Sequence, residues 1–90
     1  MDTKIAVSLT ALTEILKKSE LFLEDTAMAL GNVNKSVYNA EILGWNDNSY
    51  SKFKDDFDNL QKNIRDSLRD FEEVLIPSLK KKIEYLKDFS

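Results

Sequence analysis

The sequence predicts an all-α protein: a two-helix antiparallel hairpin that dimerises into a four-helix bundle. Apolar residues recur at alternating intervals of four and three through most of the chain, which is the spacing of one helix face. A short turn at residues 44–48 separates two stretches of equal length, residues 2–43 and 49–90. The apolar face covers about three-sevenths of each predicted helix, wider than the contact strip of a two-stranded coil.

The first predicted helix spans residues 2–43. We expect five leucines of its main apolar stripe at the bundle interface: Leu9, Leu12, Leu16, Leu23 and Leu30. The whole stripe reads Ile5, Leu9, Leu12, Leu16, Ser19, Leu23, Thr26, Leu30, Val33, Val37 and Ala40. A second line lies beside it, formed by Ile15, Phe22, Ala29 and Leu43. Gly31 and Asn32 are weak helix formers, but the stripe continues through them, so we predict one helix with a soft bend.

A further set of apolar residues repeats on the opposite face of this helix: Val7, Leu21, Met28 and Ile42. Isolated apolar residues are common on protein surfaces. The set is therefore either scattered surface residues or a second contact face.

The turn is expected to end one helix and begin the next. Gly44 favours the left-handed conformation that commonly ends a helix. Asp47 offers a side-chain oxygen to cap the second helix through the N–H groups near Ser49 and Tyr50. Trp45 lies between them, either as an aromatic plug of the hairpin end or as a recognition residue.

The second predicted helix spans residues 49–89, with its interface residues at Phe53, Phe57, Leu60, Ile64 and Phe71. Pro77 lacks the N–H that would bond to the Glu73 carbonyl, so we predict a kink near Pro77. The stripe changes phase there and continues through Leu79, Ile83 and Leu86. The helix is therefore expected to run on toward the end of the chain.

Composition argues against enzymatic chemistry. The chain has no cysteine and no histidine, which removes the thiolate nucleophile, the usual general base and the commonest metal ligands. Two glycines and one proline leave little room for a phosphate-binding loop. The acidic residues Asp55, Asp56 and Asp58 fall off the apolar face. We predict no enzyme, no metal and no cofactor.

Charge and hydropathy limit the partners in the same way. The net charge is −3 and neither half is basic, so nucleic acid binding is not expected. No apolar run approaches the ~18 residues of a spanning helix, so membrane insertion is not expected. The N-terminus does not resemble a signal peptide. We expect a cytoplasmic protein, or one secreted without a cleaved signal peptide.

The width of the apolar faces predicts that each hairpin packs against a partner. Two helices packed side by side bury only the sector between them, whereas a second hairpin would cover both stripes at once. The chain is therefore expected to form a homodimer, or a heterodimer with a related helical hairpin.

The turn and the two long helices resemble the WXG (ESAT-like) proteins of type VII secretion. That family has Trp-x-Gly in the turn, whereas this chain has Trp45-Asn46-Asp47, similar to the Trp-x-Asp variant, with Tyr50, Phe53 and Phe57 following. The resemblance implies a dimeric hairpin that is an exported substrate, or a partner and targeting factor for a larger effector. It implies a secreted toxin or a secretion ATPase as further partners.

The same resemblance makes Gly44, Trp45 and Asp47 the turn motif and candidate recognition site. The family's export signal, Tyr-x-x-x-Asp/Glu, is absent, because Phe89 stands four residues after Tyr85. An alternative function belongs to a different class: an intracellular helical adaptor or small chaperone whose apolar stripe binds an amphipathic helix of a partner protein.

Overall fold

The computed structural model describes residues 3–89, which form two long helical arms joined by a tight turn. The first arm is a single helix, α1 (Thr3–Ile42). The second arm contains α2 (Asn48–Asp70), a five-residue π turn (Phe71–Leu75) and α3 (Ile76–Lys87). The described residues contain no β-strand, so the predicted all-α class is confirmed. The predicted start of the first helix at residue 2 lies outside the described residues.

The apolar stripe of α1 follows the predicted pattern. Ten of its eleven positions are partly buried, and the exception is Val33, which is 45% exposed. Asn34 is partly buried in its place. An α-helix drifts by about 20° per heptad relative to a strict seven-residue repeat. Over four heptads this drift moves the contact line from Val33 to the next residue.

The second arm buries its side chains unevenly along its length. Tyr50 and Gln61 are the buried residues of α2, whereas α3 buries Ile76, Leu79 and Ile83. The backbone of α3 also approaches α1 more closely than the backbone of α2 does. The last segment of the chain is therefore packed against α1, as the phase change after Pro77 predicts.

The irregularity expected near Pro77 takes the form of a π turn. The Ile76 N–H donates to the Phe71 carbonyl, five residues back, instead of four. Pro77 follows at the start of α3, where its missing N–H is least costly. One extra residue in the turn rotates α3 about its axis, which brings Ile76 and Leu79 onto α1.

Pro77→Ala should therefore be tolerated. The substitution restores an N–H at a position where the helix is already adjusted, and it removes no buried side chain, because Pro77 is exposed. We expect a shift in the free energy of unfolding of less than about 1 kcal/mol, measured by circular dichroism during denaturant titration. Rapid amide exchange from Ser78 onward in the unmodified protein would contradict the packing of α3.

A single hairpin leaves an unusually large surface in contact with water. Its accessible surface is 6985 Å², whereas a folded monomer of 10.4 kDa typically exposes about 5,400 Å². Its radius of gyration is 19.9 Å, against about 12 Å for a globular domain of this length. Among the described residues no large side chain is more than 98% buried. The hairpin's own core is therefore small, with Tyr50, Ile76, Leu79 and Ile83 as its buried apolar residues.

Candidate protein-interaction surface

The turn ends α1 through a Schellman motif. The Trp45 N–H donates to the Ala40 carbonyl at 3.0 Å, and the Gly44 N–H donates to the Glu41 carbonyl at 3.1 Å. Gly44 has a φ of 108°, a conformation that side chains on Cβ disfavour. The glycine is thus required by the backbone, as the sequence predicts.

Two hydrogen bonds then fix the start of α2. The Tyr50 N–H donates to Asp47 Oδ1 at 3.0 Å, which is the N-cap that the sequence predicts. The Tyr50 hydroxyl donates to Glu41 Oε2 at 2.8 Å. Because Glu41 belongs to α1, this second bond joins the two arms directly and fixes the rotation of α2 about its axis.

Trp45 packs on the first turns of α2 and remains partly accessible. Its ring centroid lies 5.2 Å from Tyr50, nearly edge to face, and 5.5 Å from Phe53. Phe53 in turn stacks on Phe57 at 6.0 Å. The indole is 37% exposed. Trp45 is therefore both part of the turn's packing and available at the hairpin end, intermediate between the two alternatives for this residue.

The environment of Tyr50 predicts an alkaline transition. Burial raises the pKa of its hydroxyl above the usual 10.0, and the hydrogen bond with Glu41 and the charges of Glu41 and Asp58 raise it further. The folded state thus holds the phenolic proton more tightly than the unfolded chain. The resulting stabilisation is present below pH 10.0 and is lost as the pH rises through the higher folded-state value.

The raised pKa of Tyr50 can be measured by comparing the tyrosinate absorbance of the wild-type protein and of Tyr50→Phe as a function of pH. The transition missing from the variant belongs to Tyr50, and we expect its midpoint above pH 10.0. The variant should also lose part of the decline in stability at high pH. A missing transition centred at or below pH 10.0 would show that the contact with Glu41 does not form in solution.

One side of the hairpin carries a group of exposed apolar residues around two neighbouring grooves, and we call it the apolar side. Its centre is a groove in which the rings of Phe22 and Phe71 lie 5.3 Å apart, beside Leu60 and Ile64. A second groove shares Phe71 and adds Val74 and Leu75. Together with the residues one heptad away along each arm, the apolar side comprises Ile15, Phe22, Phe53, Leu60, Ile64, Phe71, Val74 and Leu75.

The predicted interface residues divide between this side and the contact within the hairpin. Phe53, Leu60 and Ile64 are 41%, 62% and 41% exposed on the apolar side. Phe71 also lies on the apolar side but is partly buried. The others are partly buried in the contact within the hairpin: Leu9, Leu12, Leu16, Leu23, Leu30 and Phe57. The face of α2 toward α1 instead contains Tyr50, Lys54 and Gln61, so much of the predicted α2 stripe is left uncovered by α1.

The other side of the hairpin is charged. Lys62 is two residues from both Leu60 and Ile64, and two residues are roughly 200° of helical turn, so it points the opposite way. It lines a groove with Arg65 and Arg69, and Arg69 pairs with Asp66 at 2.8 Å. The charged side is typical of a solvated helix face, so the two broad sides of the hairpin differ sharply in polarity.

Sequence reasoning did not single out Tyr50 as an element of the turn's packing. A signal was present, because Tyr50 lies one heptad before Phe57 and three residues after the cap Asp47. It also did not assign Lys18 and Asp25 to any surface. These two residues lie four before and three after Phe22, which places them on the same face of α1.

The described residues were also compared with the requirements of a metal site and of a membrane-spanning helix. Within residues 3–89, no cluster of three or more His, Cys, Asp or Glu side chains is arranged to hold a metal ion. Over the same residues, no helix combines the length and the apolar character needed to cross a membrane.

No protein-family model, curated protein or solved structure matches this chain.

Proposed function

We propose that this protein is a helical-hairpin interaction subunit that pairs with another hairpin through its apolar side. The observation that supports this proposal most directly is that a row of aromatic and aliphatic side chains stays exposed along the middle of the hairpin. Contiguous apolar patches of this kind mark interaction sites in soluble proteins. The large excess surface of the single chain supports the same conclusion, since pairing would remove it from water.

We further propose that the pairing serves type VII secretion, with this chain as an exported substrate or as the partner of a larger effector. The support is the resemblance at Trp45 and Asp47, in a turn that presents the indole at the hairpin end. Gly44 and Asp47 have the backbone roles of a helix stop and a helix cap, which leaves Trp45 as the motif residue whose exposed side chain has no such role. A secreted toxin or a secretion ATPase would be the further partner.

Export is the direct test. A tagged chain would be expressed in the producing organism and in a strain lacking its type VII secretion ATPase. We expect the protein in the culture medium of the first strain and only in the cells of the second. Equal amounts in both media, or retention in both sets of cells at normal abundance, would contradict a role as exported substrate.

The alternative, an intracellular adaptor, is favoured by one feature: the groove of Phe22, Leu60, Ile64 and Phe71 offers an apolar surface that an amphipathic helix could contact. The two functions differ in stoichiometry. An adaptor would be a folded monomer that binds one amphipathic helix, whereas the proposed subunit is folded only when paired with a full hairpin.

A further inference from the structure

We propose that the groove on the charged side of the hairpin binds an acidic peptide segment of a partner protein. Lys62 and Arg65 would hold the carboxylate of that segment, and Gln61 would bind its backbone. This surface is separate from the apolar side, so the proposal goes beyond the pairing function and is tested independently of it. Two observations carry it: a buried side-chain amide without a hydrogen-bond partner, and two neighbouring cations without a carboxylate partner.

Gln61 lies at the base of this groove, where α2 faces α1. Only 8% of the residue is exposed, yet its side chain makes no hydrogen bond with any residue that the structure describes. Among those residues no polar side-chain atom is both fully enclosed and unpaired, so the amide of Gln61 reaches the groove that it lines. A buried amide without a partner is costly, and a solvated helix face does not explain it. A ligand in the groove would supply the missing partner.

Two cations of the groove, Lys62 and Arg65, are also without a partner. They line the groove together with Gln61 and are three residues apart, which makes them neighbours on the surface of the helix. Neither forms an ion pair with the part of the chain that the structure describes. Like charges one turn apart repel each other, so an anion bound between the two side chains is stabilised by both of them.

The carboxylates of the groove favour a ligand with a single negative charge. Asp58 and Asp66 lie four residues before and after Lys62, and both line the groove. Each is already paired with another cation: Asp58 with Lys54 at 3.6 Å, and Asp66 with Arg69 at 2.8 Å. One carboxylate fits between these two pairs, whereas the successive phosphates of a nucleic acid would bring further negative charges against the aspartates. The net charge of −3 disfavours nucleic acid as well.

The two side-chain amides of the groove favour a peptide over a free anion. Asn34 lines the groove from α1 and Gln61 lines it from α2, and neither side chain forms a hydrogen bond within residues 3–89. A side-chain amide both donates and accepts, which matches the N–H and C=O groups of a peptide backbone, whereas an anion only accepts. The groove extends along α2 from Asp58 to Arg69, about 16 Å of helix. This is the length of about five residues of an extended chain.

Selection from random peptides tests the groove without knowledge of the partner. A display library of heptapeptides would be depleted on the double variant Lys62→Gln with Arg65→Gln and then selected on the wild-type protein. We expect the selected peptides to share Asp or Glu at one position. The affinity of the strongest peptide, measured by fluorescence anisotropy, should fall about tenfold or more in the double variant. The matched control, Lys81→Gln with Lys82→Gln, removes two exposed positive charges from α3 and should leave the affinity unchanged.

Gln61→Met separates a binding role of this residue from a structural one. Methionine is also unbranched and fills a similar space, but it cannot hydrogen-bond to a peptide backbone. Because the amide of Gln61 has no protein partner to lose, the midpoint of denaturant unfolding should not fall. The affinity for the selected peptide should fall about fivefold. A variant that is less stable but binds the peptide as wild type does would make Gln61 a structural residue and would overturn its assigned role.

Competition identifies the class of ligand. Replacing the shared acidic residue of the selected peptide by its amide should abolish binding, and inorganic phosphate at matched ionic strength should not displace the peptide. Displacement by phosphate as effective as by unlabelled peptide would overturn the inference in favour of a small-anion site. Failure of any peptide to survive the depletion step would overturn it as well. The molar mass of the double variant should equal that of wild type, so the proposed pairing stands or fails separately.

Discussion

Leu60→Lys should dissociate the protein and reduce its helicity, whereas Met28→Lys should do neither. In a single hairpin the two side chains are equally accessible, at 62% and 63%. Each new lysine would lie four residues after a carboxylate, Asp56 or Glu24, so the local effects on the helix are matched. The difference is that Leu60 lies on the apolar side, whereas Met28 lies on the face of α1 turned away from the second arm.

The expected size of the effect follows from burial in the dimer. Each Leu60 side chain removed from a buried interface costs about 2 kcal/mol, and the dimer contains two. The dissociation constant should therefore rise roughly a thousand-fold. Sedimentation velocity and circular dichroism over a concentration series would measure both changes. Equal behaviour of the two variants would show that the apolar side is not an interface.

Trp45→Ala should have the second largest effect, on export more than on folding. The indole packs on Tyr50 and Phe53, but more than a third of it is exposed. Its loss should therefore cost about 2 kcal/mol in the free energy of unfolding, below the range of fully buried aromatic residues. The variant should remain a folded dimer, while its recovery from the culture medium falls strongly relative to the amount in cells.

Tyr38→Ala is the control for this experiment. Tyr38 is 63% exposed on α1, so its removal deletes an aromatic ring without disturbing the turn, and we expect normal export. A Trp45→Ala protein that is exported normally but has a much lower melting temperature would make Trp45 a purely structural residue. Intermediate solvent access should also appear as partial quenching of Trp45 fluorescence by acrylamide.

The local features of the hairpin could be predicted because they depend on few residues. The stop at Gly44 and the cap at Asp47 follow from backbone conformation and from one side-chain oxygen. The stripe of α1 follows from its periodicity, and only the drift of the helix moves the contact from Val33 to Asn34. These elements need no knowledge of the partner.

The side of α2 that packs against α1 could not be predicted in the same way. Periodicity identifies an apolar face but does not say which neighbour that face contacts. The hydrogen bond between Tyr50 and Glu41 fixes the rotation of α2, so that Gln61 is directed at α1 and Leu60 is directed away. Similarly, Pro77 indicates an irregularity, but its form as a π turn depends on how α3 packs against α1.

The molar mass of the purified chain as a function of concentration tests the central claim most directly. Sedimentation equilibrium should give twice the 10.4 kDa of one chain at micromolar concentrations. Helicity monitored in parallel should fall only when dilution dissociates the dimer, because the single hairpin has only a small core of its own. A fully helical, cooperatively unfolding species of 10.4 kDa at tens of micromolar would contradict the claim that this hairpin is folded by pairing.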